Sequence, residues 1–192
     1  MSGEIRTARL LMRPWRPADR EPFAVMNADP VVMAHMIAPL TREQSDGFAD
    51  RIEVHFAAHG YGLWALEDGR GFVGFTGLMW ATFDADFTPA LEIGWRLATS
   101  AWGRGYASEA ATAALQRGFQ DVDRIISFTA IGNERSARVM QRIGMHREYE
   151  FDHPRVPDGH PAKRHVLYTA NRQTWSPHSV LADPDQRPLR GS

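Results

Sequence analysis

Gly103 and Gly105 stand between a strand-like run, residues 91–97, and an alanine-rich helical run that follows directly. A glycine lacks the Cβ that keeps a ligand away from the backbone, and the first turn of a helix offers unpartnered amides at the positive end of its dipole. The combination suits an anion, and a diphosphate best. It is not a dinucleotide fingerprint, because the position three residues after the second glycine is Ser108, followed by Glu109, and a P-loop would need a lysine that is absent. About 30 residues further on, Asn133 and Ser136 open a second helical run that closes at Gly144. Among the eight histidines, His55 and His59 are one helical turn apart with no third ligand at metal-site spacing, and they read as a helix surface. His153, His160 and His165 gather around the loop 153–161, as cleft lining or as solvated loop residues. The chain has no cysteine, which excludes disulfides, cysteine nucleophiles and thiolate metal sites. Its chemistry rests on oxygen and nitrogen groups or on a bound cosubstrate.

The elements that must position these residues follow from periodicity. Residues 8–15 alternate like a first strand before Pro14 and Pro17, and a helix spans 18–27. Thr41 and Gln44 form a capping box, after which Phe48, Ile52 and Phe56 share one helical face up to Gly60. Residues 61–66, 71–80 and 91–97 are short, aromatic-rich strands, the first two a hairpin. From Gly103 the spacing of Ala107, Ala110, Ala111, Ala114, Leu115 and Phe119 predicts a helix that packs closely on a sheet. A buried strand at 124–129, a helix at 136–143 and strands at 145–152 and 164–171 complete the pattern, with a tail from Ser176 marginal to the fold. The expectation is one domain over residues 1–175 and a flexible tail over 176–192. At 192 residues and 43% hydrophobic the chain can build one substantial core. A net charge of −1 argues against a nucleic-acid-coating protein. No run approaches the roughly 20 apolar residues of a membrane span, and no secretory leader is read at the start. A cytoplasmic protein is expected.

The run Glu92-Ile-Gly-Trp-Arg-Leu, followed by Trp102-Gly-Arg-Gly-Tyr-Ala-Ser-Glu-Ala110, resembles the GNAT superfamily of acetyl-CoA-dependent N-acetyltransferases. Within it, the sequence is similar to the ribosomal-protein N-terminal acetyltransferase (Rim-type) branch. The stretch from Asn133 to Met145 matches that branch's Asn-x-x-Ser helix, and the opening Arg9-Leu-x-x-Arg-Pro14 agrees as well. The resemblance covers residues 8–175. It implies an α/β (α+β) domain with a mixed, mostly antiparallel central sheet, helices on both faces, and an acetyl-CoA cleft where the strand ending near Leu97 splays from the strand beginning near Arg124.

It also implies roles. The backbone of Trp95, Arg96 and Leu97 would bind the pantetheine arm of acetyl-CoA. Gly103, Arg104, Gly105, Tyr106, Ala107 and Ser108 would cradle the pyrophosphate, with Trp102 at the head of the cradle where the family usually has Gln or Arg. Asn133 would reach the cosubstrate, and Ser136 would stand near its sulfur. Many members carry a tyrosine proton donor seven residues after Asn133; this chain has Met140, which leaves Ser136 or water to protonate the thiolate. Glu92 occupies the place of the general-base glutamate of the histone-acetylating branch. Such a base matters because keeping a lysine-like amine neutral at pH 7 costs about 4.6 kcal/mol, against about 1.4 for an N-terminal amine. Arg138 and Arg142 would meet the cosubstrate's 3′-phosphate or form a solvated helix face. Trp80, Phe83 and Phe87 would line an apolar acceptor pocket or lie in the core. Segments 29–39 and 153–161 fall on the acceptor side.

The function implied is acetyl transfer from acetyl-CoA to a primary amine, a protein N-terminus or a small molecule, with no metal, no nucleic acid and no membrane; a homodimer is common in the branch. The alternative is a non-catalytic acyl-CoA-binding module, motivated by Met140.

Overall fold

The computed structural model describes residues 3–176. Eight strands form a single sheet: β1 (Ile5–Arg6), β2 (Leu11–Arg13), β3 (Leu63–Asp68), β4 (Gly71–Ala81), β5 (Ala90–Leu97), β6 (Arg124–Ala130), β7 (His146–Asp152) and β8 (Arg164–Asn171). Their order is β1-β2-β3-β4-β5-β6-β8-β7, and every neighbouring pair is antiparallel except β5 with β6. Helices α1 (Arg20–Ala28), α2 (Arg42–His59), α3 (Tyr106–Gly118) and α4 (Glu134–Arg142) connect them. The tail read from Ser176 onward lies, apart from Ser176 itself, outside the described residues. Among the described residues no helix is long and apolar enough to cross a membrane.

The two sheet faces carry different cores. Leu91, Ile93 and Leu97 of β5 point to one face, where Ala110, Ala111, Ala114 and Leu115 of α3 and Met140 of α4 meet them. The alanines let α3 approach the sheet closely, and each large side chain fully buried there stabilises the fold by about 1.5–3 kcal/mol. On the other face Phe23 and Met26 of α1 and Ala49 and Ile52 of α2 pack on Leu63 and Phe75. The capping box forms as expected: the Thr41 hydroxyl accepts from the Gln44 amide, and Gly60 closes α2 in the left-handed conformation.

Two expectations are corrected. The strand expected over 8–15 is confined to Leu11–Arg13, β2, and pairs with an earlier short strand, β1, because Thr7 and Leu10 close a turn through the Thr7 amide and hydroxyl. Helix α4 begins two residues before Ser136, because Asn133 is its cap. Of the two readings of Trp80, Phe83 and Phe87, the core one holds: Phe83 and Phe87 are buried against Phe128 and Phe151, and Trp80 packs against the opposite core.

A buried ion pair anchors the start of α1. The Arg13 guanidinium donates to both carboxylate oxygens of Asp19, at 2.7 and 2.8 Å, and its Nε donates to Glu67 at 2.8 Å. Asp19 also accepts from the Arg16 amide, so a single carboxylate ties β2 to the turn that opens α1. Asp19→Ala leaves the buried guanidinium with Glu67 and the Pro14 carbonyl. It should cost about 3 kcal/mol in a urea unfolding titration.

Candidate active site

The site starts from a failure of pairing. Strand β5 pairs with β6 only at Leu91↔Ile125 and Glu92↔Ile126. Beyond that point the buried Ser127 hydroxyl donates to the Ile93 carbonyl at 2.9 Å, in the place of a ladder bond. Further along, the Trp102 indole N–H donates to the Leu97 carbonyl at 2.8 Å. On the other edge of β5, the Ala98 amide bonds Val73 of β4, and even-numbered residues of β5 pair in that direction. By the alternation of an antiparallel ladder, Ile93, Trp95 and Leu97 turn their backbone groups toward the opening. The Trp95 N–H and C=O therefore face the gap with no strand beside them. Arg96 differs from the expectation: its backbone pairs toward β4, and its side chain crosses to the α1 and α2 face.

After β5 the chain makes a 3-10 turn and enters the glycine segment. Gly103 and Gly105 are both left-handed, at φ 74° and 77°, and exposed together with Arg104. Gly105 is the cap residue of α3 and offers no side chain to the helix amides. In the first turn, the Ser108 hydroxyl is buried with no hydrogen-bond partner. Tyr106 is buried, with its hydroxyl donating to Asp68, and Ala107 is half-buried beside it. Amides without a cap, an orphaned hydroxyl and two glycines open to solvent fit a pyrophosphate.

The cradle has a brace that sequence reasoning missed. Arg9 donates to Glu109 through its backbone amide at 2.8 Å and its Nε at 2.6 Å, while its Nη1 donates to the Arg104 carbonyl at 2.7 Å. Thr7 adds a hydroxyl to the same carboxylate. Burial alone would raise the Glu109 pKa, yet these hydrogen bonds and the Arg9 charge hold it below the usual range. The signal lay in the opening Arg-Leu-x-x-Arg-Pro run and in an acidic residue in the first helical turn.

The second motif sits beside the first. The Arg135 guanidinium stacks over the Trp102 ring at 4.4 Å, which brings the start of α4 to the head of the cradle. The Asn133 side-chain oxygen accepts from the Ser136 amide at 3.2 Å. Its amide nitrogen and the Ser136 hydroxyl remain without partners among the described residues. Met140 is 1% exposed and belongs to the core, so no donor could act from that position without repacking. Arg138 and Arg142 are exposed, and Arg138 pairs with Glu134 one turn back.

Glu92 is the last residue of β5 that pairs with β6. Its side chain shares the face of Arg96, opposite the α3 core, with Met79 across from it on β4 and Ile126 beside it on β6. Its Oε1 lies 3.9 Å from where a Cβ on Gly94 would stand, so the carboxyl extends along the strand toward the splay. No hydrogen bond or ion pair reaches it among the described residues, and burial pushes its pKa up to about 8. Two residues beyond Gly94, Arg96 donates to Asn27 Oδ1 at 2.6 Å, lies over the Phe75 ring, and meets no carboxylate. Asn27 in turn donates to Ser45, and all of Asn27 and Ser45 is buried.

The histidines of the acceptor side separate. His153 and His165 stack among Phe83, Phe128 and Phe151, with ring centres 5.0 Å apart. Burial, then the charges of His165, Arg155 and Lys163, push the His153 pKa down to about 4, and burial lowers His165. His55 stacks on His59 and bonds the Tyr61 carbonyl. Among the described residues no three His, Asp or Glu side chains stand together as a metal-binding group.

The model of the acetyltransferase (GNAT) domain matches residues 9–146. The Bacillus subtilis protein YkkB, uncharacterized, is 31% identical over 128 residues, 65% of this chain and 73% of its own. A GNAT-family acetyltransferase from Bacillus anthracis superposes with a TM-score of 0.72 at 27% identity, over 88% of this chain and 99% of that one. The RimJ structure from Mycobacterium smegmatis, in complex with CoA-disulfide, has a TM-score of 0.71 at 19% identity, covering 94% and 93%. The chain belongs to the GNAT acetyltransferase family.

The raised Glu92 pKa has a consequence for stability. A carboxyl that titrates higher folded than unfolded favours the native state below its unfolded pKa, and that contribution is lost as pH rises from about 4.5 to about 8. Glu92→Gln removes the loss. The variant should match the parent in thermal unfolding at pH 4 and exceed it at pH 9.

Proposed function

We propose that the protein moves the acetyl group of acetyl-CoA to a primary amine by direct attack in a ternary complex. The observation that carries the reading is the unpaired Trp95 backbone opening beside the uncapped start of α3. The two supply hydrogen-bonding groups for an amide-bearing arm and for a diphosphate along one continuous edge. The Trp95 N–H and C=O would hold the pantetheine arm, with Arg96 and Leu97 fixing that strand. Gly103, Arg104, Gly105, Tyr106, Ala107 and Ser108 would hold the pyrophosphate, and the free Asn133 amide would orient the arm.

In the transfer, the amine nitrogen forms a bond to the acetyl carbonyl carbon and the carbon–sulfur bond breaks. The proton lost by nitrogen passes to Glu92, directly or through water, and the thiolate takes a proton from the Ser136 hydroxyl or from solvent. Positioning two substrates on one strand edge lowers the barrier without a covalent enzyme intermediate. The acceptor is a protein N-terminus or a small amine; one structural neighbour is a ribosomal-protein-S5-alanine acetyltransferase from Vibrio fischeri. The reaction takes place in the cytoplasm.

A non-catalytic acyl-CoA-binding module is the second reading, and buried Met140 at the family's tyrosine position favours it. Glu92, isolated and directed toward the splay, favours catalysis.

Thermal unfolding with acetyl-CoA, CoA and ADP tests the binding half. Ligand at about 100 times its dissociation constant stabilises by roughly 2.7 kcal/mol. Acetyl-CoA should shift the transition and Gly105→Glu should abolish the shift, because a Cβ there stands on a left-handed backbone 3.3 Å from the Arg9 Nη2 that braces the loop, and the added carboxylate opposes a diphosphate. The catalytic half is a pH profile: kcat/KM for an amine should climb through about pH 8 as Glu92 ionises, and Glu92→Gln should lower it about 100-fold and remove that inflection. An unchanged Gln profile removes Glu92 from the mechanism. Ligand binding without transfer to any amine assigns the module reading.

A further inference from the structure

Residues 30–39 between α1 and α2 and residues 160–162 before β8 flank a cavity of about 440 Å3 that is half open to solvent. Met33, Met36 and Ile37 line it from one segment, Pro161 and Ala162 from the other, and Ala130 and Gly132, shortly before Asn133, line it as well. The lining contains no Asp, Glu, Lys or Arg; its polar side chains are His35 and His160. His160 is already used, since its Nδ1 accepts from the Ala162 amide at 3.0 Å. Met36 and Ile37 are 46% and 50% exposed.

We propose that this cavity holds the apolar body of the acceptor, so that the substrate is a small primary amine on an uncharged aliphatic or aromatic frame rather than a polyamine or a lysine side chain. The inference rests on the acetyl-transfer reading and narrows it to one substrate class.

Position supports it. Ala130 and Ile126 share a face of β6, about 13 Å apart along the strand, and Ile126 pairs with Glu92. A molecule seated in the cavity can thus extend its amine along one face toward the carboxyl that would take the proton. Between them stand Phe128 and His165, and His153 stacks on both. Burial keeps these imidazoles neutral near pH 7. A second ammonium on the acceptor would lose part of its hydration against the apolar wall and find no carboxylate in the lining. The size and lining agree: small-molecule pockets are predominantly apolar and commonly about 300–1,000 Å3. Two methionines give a wall that adapts to more than one apolar shape.

Steady-state acetylation at saturating acetyl-CoA tests the class with ethylamine, butylamine, hexylamine and 2-phenylethylamine, against 1,6-diaminohexane, spermidine and an alanine-initiated peptide. Each methylene buried should raise kcat/KM by about fourfold, or roughly 16-fold from butylamine to hexylamine. Hexylamine should exceed 1,6-diaminohexane by about 100-fold, because only the terminal charge differs. Met36→Asp, at an exposed position, should lower kcat/KM for hexylamine at least about tenfold while leaving the acetyl-CoA thermal shift unchanged. A flat alkyl series, a diamine or spermidine as good as hexylamine, or the peptide as the best acceptor overturns the inference and leaves acetyl transfer standing. So does a Met36→Asp protein with unchanged hexylamine kinetics, whether or not its sedimentation changes from dimer to monomer; a change would assign the face to a second copy of the chain. If acetyl-CoA gives no thermal shift, or binds while none of the amines is acetylated, the acetyl-transfer reading fails and the inference falls with it.

Discussion

A strand that loses its neighbour partway along its length must find other partners for its backbone or leave a place for a ligand. In this protein β5 pairs with β6 for two residues and then parts from it. The protein spends side chains on most of the exposed edge: the Ser127 hydroxyl satisfies Ile93, and the Trp102 indole satisfies Leu97. Trp95 between them is left without such a partner. A backbone polar group closed off from water and unpaired costs about 1–3 kcal/mol, so an opening of this kind persists where solvent or a ligand completes it. The alanine-rich face of α3 supports the same strand from behind, and α3 starts where β5 and its following turn deliver it. One pairing defect thus sets the direction of the cleft, the position of the cradle and the approach of α4.

The electrostatics of the two sides of the cleft differ, and the difference follows from what braces each. On the cradle side Arg9, Glu109 and Thr7 form a connected network that fixes the loop without using its amides. On the Glu92 side the groups nearest the splay lack ionic partners. Glu92 has no partner, Arg96 has a neutral one, and two histidines are enclosed by aromatic rings. A carboxyl whose pKa burial raises to about 8 is a poor permanent charge near neutrality and gains the capacity to take a proton only as pH rises through that value.

What was legible in the sequence was local. The central strands, the glycine turn and α3 could be read because their periods and their breakers are short-range signals, and the Thr41 capping box spans three residues. Strand β1 and its turn into β2 escape a periodic reading because β1 is two residues long and Thr7 turns the chain with a hydroxyl, without a glycine or proline to mark it. Ser136 was taken as the start of α4, while the cap is an asparagine three residues earlier. The candidate site was legible as a set of motifs and illegible as an environment. The isolation of Glu92 depends on Met79 and Ile126, the setting of Arg96 on Asn27, 69 positions away, and the acceptor cavity on two loops more than a hundred residues apart. No pattern within a window carries such facts.

Met140 shows how fold and chemistry share one helix. Helix α4 must turn a large apolar side chain into the core between α3 and the sheet, and Met140 does so at 1% exposure. A phenol in its place would need a buried partner for its hydroxyl or a shift of the helix toward the cleft. The free polar groups of the helix are instead at its first turn, where the Asn133 oxygen caps the Ser136 amide and holds the Ser136 hydroxyl and the Asn133 amide in place. Arg135, from the same turn, clasps Trp102 and so couples the position of those groups to the cradle. The polar groups that α4 offers thus stand at its amino-terminal turn, and the Arg135–Trp102 contact holds that turn beside the glycine loop.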